Sequence, residues 1–173
     1  GDLPPSEGKI EFMGRDITHL TAAQRSQVGI GRSYQRTNIF PQFSVLENVR
    51  LAAQSRRQQP WRIFSQAMKQ AWALEKARAC IEEAGLGKRV DWVSGVLSHG
   101  EQRQLEIAMV LATDAQVLLL DEPLAGMGSE ESARMVEVLK RLRPTRGILL
   151  VEHDMDAVFA VADMITVMVN GQL

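Results

Sequence analysis

Val117-Leu118-Leu119-Leu120-Asp121-Glu122-Pro123 is the stretch on which the fold turns. A strand covered on both faces reads as a continuous hydrophobic run, not as an alternating one. This run ends abruptly in two carboxylates. Ligands of open α/β sheets bind beyond the carboxyl ends of the strands. Two acids at such an exit suit a bound metal and a general base. Successive strand residues point to opposite faces, but the backbone turns at the exit, so both side chains can reach one site. Taken alone, the three residues Asp121-Glu122-Pro123 read more readily as a strand end whose acids cap the next turn; the four apolar residues in front and the helix start at Leu97–Gln102 reverse that preference.

Working outward, Gly147-Ile148-Leu149-Leu150-Val151 is a second run of the same kind, read as fully buried and ending at Glu152-His153. Val28 to Gln35, with Gly29, Ile30 and Gly31, reads as a strand that ends in polar residues, and Ile165 to Val169 as the last strand. Helical patterns lie between them. Leu105, Ala108, Met109 and Ala112 form one buried stripe, Met135, Val138, Leu139 and Leu142 a second, and Met155, Val158, Phe159 and Ala162 a third. Ser129 is the expected cap of the middle helix, with Glu130 and Glu131 in its first turn. From residue 97 the order is helix, strand, helix, strand, helix, strand, which argues for a parallel sheet covered by helices.

Towards the amino end, Lys9-Ile10-Glu11-Phe12 alternates like a half-exposed strand and Gly14-Arg15-Asp16 reads as its turn. Thr21-Ala22-Ala23-Gln24 and Ser44-Val45-Leu46-Glu47 are capping boxes that open helices. The longest helical pattern covers 61–84 and stops at Gly85. Arg56-Arg57-Gln58-Gln59-Pro60 is a polar break between helices. Residues 38–96 are nearly all helical, a lobe set between sheet elements.

The 173 residues are 45% hydrophobic, an ordinary globular composition with room for one sizeable core. Net charge is −1, which gives no footprint for nucleic acid. Cys80 is the single cysteine. It excludes an internal disulfide and any multi-cysteine metal site, and it reads as a small core residue in a reducing, cytosolic setting. No apolar stretch approaches the ~20 residues that span a bilayer. The chain opens at Gly1-Asp2-Leu3 and stops at a turn, Asn170-Gly171-Gln172-Leu173, so the expectation is a piece of a longer protein.

Three polar groups emerge at strand ends: Gln35, Asp121-Glu122 and His153. Ser98-His99-Gly100-Glu101 is a capping box at a helix start. It satisfies helix-end amides, and the same free N–H groups and partial positive charge favour phosphate. Gly100 lets a backbone approach closely. Arg103 with Glu106, and Arg134 with Glu137, read as solvated helix pairs worth tenths of a kcal/mol. Trp61 and Trp72 read as core packing or as an exposed docking patch.

Leu97-Ser98-His99-Gly100-Glu101-Gln102, followed by Val117–Glu122, resembles the signature helix and Walker B strand of an ABC-type ATPase. Arg32-Ser33-Tyr34-Gln35-Arg36-Thr37-Asn38-Ile39-Phe40, the segment Leu97–Ala108 and Leu124-Ala125-Gly126-Met127-Gly128 are similar to the ATPases of branched-chain amino-acid importers, with urea importers close by. The resemblance implies an α/β fold: a P-loop NTPase-type parallel sheet (1–37 and 97–173), an inserted helical subdomain (38–96) continued by the signature helix (97–112), and a small amino-terminal antiparallel β element. It implies ATP and Mg2+ as cofactors, with Asp121 and Gln35 at the metal, Glu122 orienting and deprotonating the attacking water, and His153 on the γ-phosphate. Ser98, Gly100 and Glu101 would face the ATP of a second ATPase subunit. Arg36, Phe40 and Phe43 would touch a transmembrane permease, with core packing between lobes as the other reading of the two phenylalanines. A periplasmic solute-binding protein would be an indirect partner, and the protein would sit peripherally on the cytoplasmic face of the cell membrane.

Two departures stand out. His99 replaces the usual glycine, a subfamily mark, and Gly128 replaces the usual D-loop aspartate. No G-x-x-x-x-G-K-[S/T] occurs in the 173 residues. The loop that cradles the phosphates is therefore expected upstream, and these residues alone are expected to be inactive. Two other readings stay open, a soluble ABC ATPase outside transport and a degenerate cassette acting as a regulatory module. The lobe at 38–96 lacks the sustained heptads of a coiled-coil insertion, and intact Asp121, Glu122 and His153 fit a degenerate cassette poorly.

Overall fold

The computed structural model describes residues 3, 5–33, 38–55 and 71–172. A two-stranded antiparallel ribbon comes first, β1 (Glu11–Phe12) on β2 (Arg15–Asp16). Arg15 and Asp16 are thus paired strand residues, and the turn is Met13-Gly14, both at positive φ. Two left-handed residues give the twist that joins a tight hairpin. Helix α1 (Ala22–Val28) carries the expected capping box on Thr21 and closes at Gly29, whose φ of 111° is open to glycine. The next strand therefore starts later than its sequence suggests, as β3 (Ile30–Arg32).

Helices α2 (Val45–Ser55) and α3 (Ala71–Glu83) build the lobe. Ser44 and Glu47 exchange the two bonds of a capping box, Glu47 N–H to Ser44 Oγ at 3.1 Å and Ser44 N–H to Glu47 Oε2 at 3.1 Å. Gly85 stops α3 at φ +82°. The first part of the long 61–84 pattern, and Trp61 with it, lies outside the described residues. Trp72 packs, partly buried, on the core.

Helix α4 (His99–Ala112) is the axis of the molecule: it meets α2, α3, α5 and β3. Strand β4 (Val117–Asp121) follows, then α5 (Ser129–Leu142), β5 (Gly147–Val151) and α6 (Met155–Val161). The sheet is parallel in the order β3-β4-β5, with Leu118 opposite Gly31 and Ile148, and Asp121 opposite Val151. Gly31 permits the close approach of α4, since a Cβ there would lie 2.3 Å from Val110. The core runs without a break from Val45, Val49 and Ile81 through Leu105 and Leu111 to Leu118, Leu120, Met135 and Leu139.

Several sequence expectations are corrected. Among the described residues helices cover one face of the sheet fully. Leu118 and Leu120 are buried, while Val117 and Leu119 are only half-buried. Among the described residues β5 is an edge strand, with Leu149 and Val151 exposed, not a fully buried one. An apolar run states that a strand can be covered twice; it does not supply the second layer. Ile165–Val169 forms no strand, and only Val169 bridges Gln172 across the left-handed turn Asn170-Gly171. Ser129 is the first helical residue of α5, and the cap is Gly128, without a side-chain bond. The inward face of α6 is Ala157 and Val161, and Met155 and Phe159 are exposed.

Candidate functional site

The register of β4 on β5 brings the predicted acids and the histidine together. Glu122 N–H donates to Val151 O at 2.9 Å, which extends the ladder one residue past Asp121. Glu122 then turns into the left-handed region, φ +46°, and this re-aims its carboxylate. His153 Nδ1 lies 3.7 Å from Glu122 Oε1 and 3.7 Å from Glu152 Oε2. These are ion-pair distances when the imidazole is protonated and too long for hydrogen bonds. Both His153 and Glu122 remain open to solvent, at 75% and 41% side-chain exposure. Asp121 sits half-buried at the strand end.

Glu152 was not singled out in the sequence, yet it is the fixed member of this group. Its side chain is fully buried. Oε1 accepts Leu124 N–H at 2.9 Å and Oε2 accepts His153 N–H at 3.0 Å. One carboxylate thereby holds the loop after Glu122 against the loop that carries His153. An acid directly after an apolar strand was the available signal.

A second group gathers at the start of α4. Ser98 Oγ accepts Glu101 N–H at 3.3 Å, and Ser98 N–H donates to Glu101 Oε2 at 3.1 Å, so the predicted capping box is present. Glu101 also takes Arg89 Nε at 2.8 Å, and the Arg89 guanidinium lies 3.7 Å over the Trp92 ring. The sequence missed the next contact: Ser98 Oγ donates to Glu131 Oε1 at 2.6 Å. The Ser98 hydroxyl, with the backbone N–H groups of Gly128 and Gly100, holds the Glu131 carboxyl below the usual range. Gly100 is buried, and a Cβ there would meet Glu131 Cδ at 2.8 Å.

Arg103 and Glu106 correct a sequence expectation. They are 7% and 6% exposed, pair at 2.8 Å, and Glu106 also accepts Asn38 N–H at 2.7 Å. A helix surrounded by neighbours has little solvated face left, so this polar pair is interior. Arg134 faces Glu130 at 3.7 Å, and Glu137 pairs with Lys140; both pairs are exposed.

Gln35 and Arg36 lie outside the described residues. Phe40 and Phe43 stack with ring centroids 5.5 Å apart and are 51% and 40% exposed. Trp92, Val93 and Val96 are exposed as well, and Ser44 bridges Val93. A cavity of about 230 Å³ between β3 and α4 is lined by Arg32, Ser33, Glu106 and Thr113 and holds none of Asp121, Glu122, His153 or Ser98. The candidate chemistry therefore sits on open strand ends rather than in that cavity.

The family profile described as "ABC transporter" matches residues 1–125. The chain belongs to the ABC transporter family. Its similarity to ATP-binding members runs along nearly the whole chain. It is 32% identical to the high-affinity branched-chain amino acid transport ATP-binding protein LivG of Salmonella typhimurium, over 99% of this chain and 70% of that protein. It is 30% identical to the corresponding protein BraF of Pseudomonas aeruginosa, again over 99% and 70%. The ADP conformation of MJ1267, an ATP-binding cassette of an ABC transporter, superimposes with a TM-score of 0.83 at 29% identity, covering 98% of this chain and 68% of that one. A nucleotide-free cassette from an ABC transporter gives 0.82 at 28% identity, over 98% and 69%. These matches place the protein among the ATPases of ABC transporters. Among the described residues, no helix is long and apolar enough to cross a membrane.

Proposed function

We propose that the protein is the energy-coupling ATPase subunit of an importer for branched-chain amino acids or a related small solute. The observation that carries this reading is the convergence of Asp121, Glu122 and His153 on one end of the sheet, in a chain with the relatives just named. In this reading 1–37 and 97–173 form the nucleotide-binding core and 38–96 the helical subdomain.

The donor set fits ATP with magnesium. Among the described residues no three His, Cys, Asp or Glu side chains are grouped to hold a metal. A cation brought in by nucleotide keeps waters and takes one or two carboxylate contacts, and Asp121 stands at the strand end where one is needed. Asp121, with Gln35, would hold it, directly or through water. Bound there, magnesium would neutralise charge on the phosphates. Glu122 accepts the proton of the attacking water, and its exposed carboxylate leaves room for that water. His153 donates towards the γ-phosphate. Ser98, Gly100 and Glu101 face the nucleotide of a second ATPase subunit across a dimer interface, where a helix start favours phosphate.

Arg36, Phe40 and Phe43 meet the permease. The exposure of the stacked phenylalanines supports docking over packing between lobes. The protein works peripherally at the cytoplasmic face of the membrane, with a periplasmic solute-binding protein as an indirect partner and no role for nucleic acid.

The test is Glu122→Gln in the full-length subunit. ATP still binds, turnover falls by ~10²-fold or more, and a dimer locked by ATP accumulates. Near-normal turnover rejects the assigned role. Since the 173 residues contain no G-x-x-x-x-G-K-[S/T], this stretch alone is expected to bind ATP–Mg weakly and to hydrolyse none above background. Micromolar ATP binding by calorimetry would contradict that expectation.

A further inference from the structure

Between the exposed phenylalanines and the start of α4 lies a buried polar cluster that the site described above does not use. Asn48 on α2 and Ser94, four residues before Ser98, are both fully buried. Asn48 Oδ1 accepts Phe40 N–H at 2.8 Å. Its Nδ2 group has three acceptors in reach for its two protons, Phe40 O at 3.1 Å, Ser44 O at 3.0 Å and Ser94 Oγ at 3.1 Å. The Ser94 hydroxyl has two carbonyls in reach, Phe40 O at 2.8 Å and Phe43 O at 2.9 Å, for its single proton. Backbone bonds close the same gap. Ser94 N–H donates to Phe43 O and Gly95 N–H to Pro41 O, each at 2.9 Å.

The cluster thus grips the loop 40–44 at both phenylalanines. Its far end is the 3₁₀ turn Ser94–Val96, from which Leu97 leads directly to Ser98. A fully satisfied buried network is rigid, because each lost bond strands a polar group away from water. A displacement of the phenylalanine loop would break these bonds unless the turn moved with it.

We propose that Asn48 and Ser94 are positioning residues: they lock the permease-facing loop to the segment that presents Ser98, so that permease movement sets the placement of the signature helix start. This rests on the proposed function, which makes Phe40 and Phe43 the docking surface and Ser98 a nucleotide contact. Neither Asn48 nor Ser94 touches nucleotide in that scheme.

The experiment uses the full-length subunit, alone and assembled with its permease in proteoliposomes, with radiolabelled leucine as the probe. Ser94→Ala and Asn48→Asp weaken the link from opposite sides: the first removes the hydroxyl, the second the amide donors to Phe40 O and Ser44 O, while the backbone bonds stay. For each, the detached subunit is expected to keep its KM for ATP and its hydrolysis rate within about twofold. In the assembly, the permease-dependent part of kcat and the leucine taken up per ATP are expected to fall at least fivefold. A variant with wild-type leucine per ATP overturns the lock. So does a loss of hydrolysis in the detached subunit that matches the loss of transport, because that is the mark of a fold defect. A wild-type assembly whose hydrolysis does not respond to the permease overturns the functional reading and the lock with it. A responsive wild type with unaffected variants overturns the lock alone.

Discussion

Ser98 Oγ and Glu131 Oε1 lie 2.6 Å apart, so a carboxylate from α5 rests on the start of α4 where the proposed function puts a phosphate. Glu131 titrates below the usual carboxylate range because its charged form is the one that accepts these bonds. A depressed folded-state pKa contributes stability above the unfolded value and loses it as pH falls through the folded one. Glu131→Gln is therefore expected to lower thermal stability slightly at pH 7, with the difference from wild type vanishing in strong acid. In Ser98→Ala the Glu131 carboxyl should titrate closer to the ordinary range, read by NMR of the side-chain carboxyls. An unchanged titration would remove Ser98 as the main cause.

Arg103 and Glu106 behave as an interior pair. Glu106→Ala removes the acceptor shared by Arg103 and the Asn38 N–H. Breaking a buried pair from one side costs about 3–5 kcal/mol, to be measured by denaturant unfolding. Replacing both residues with apolar side chains should cost less than the single change. A loss of only tenths of a kcal/mol would return the pair to the solvated class.

Cys80 is 3% exposed, and burial pushes its thiol up to about 11. At pH 8 the thiol is protonated as well as covered. Its reaction with a disulfide reagent should therefore wait on unfolding, and its labelling rate should follow the guanidinium transition. Fast labelling of the native protein would contradict this.

Phe43→Ala and Arg36→Glu should uncouple transport while hydrolysis by the detached subunit stays largely intact. Phe43 is 40% exposed, so its truncation is expected to shift the melting temperature little. A joint fall of both activities with a lower melting temperature would make the residue structural.

Local chemistry was the legible part of the fold. The capping boxes at Thr21, Ser44 and Ser98, the glycine stop at Gly85 and the inward stripe of α5 depend on neighbours within a turn or two. All are found as read. Glu106 escaped because its burial is set by α2, α3 and β3 around α4, and nothing in a three-residue spacing reports how many neighbours a helix has. The same blindness made Gly147–Val151 look fully covered. At the site, Asp121, Glu122 and His153 were visible as polar residues closing apolar strands. The buried brace at Glu152 and the Ser98–Glu131 contact join segments far apart in sequence, which only the register of β4 on β5 and the packing of α5 on α4 bring together.

The left-handed backbone of Glu122 has a consequence for how this position can change. A non-glycine residue held in a sparsely populated φ/ψ region costs on the order of 1 kcal/mol, and glycine would adopt φ +46° freely. Glu122→Gly should therefore give a tougher protein that lacks the base which the proposed function puts at the strand exit. Selection for heat resistance and selection for turnover would pull this one codon in opposite directions.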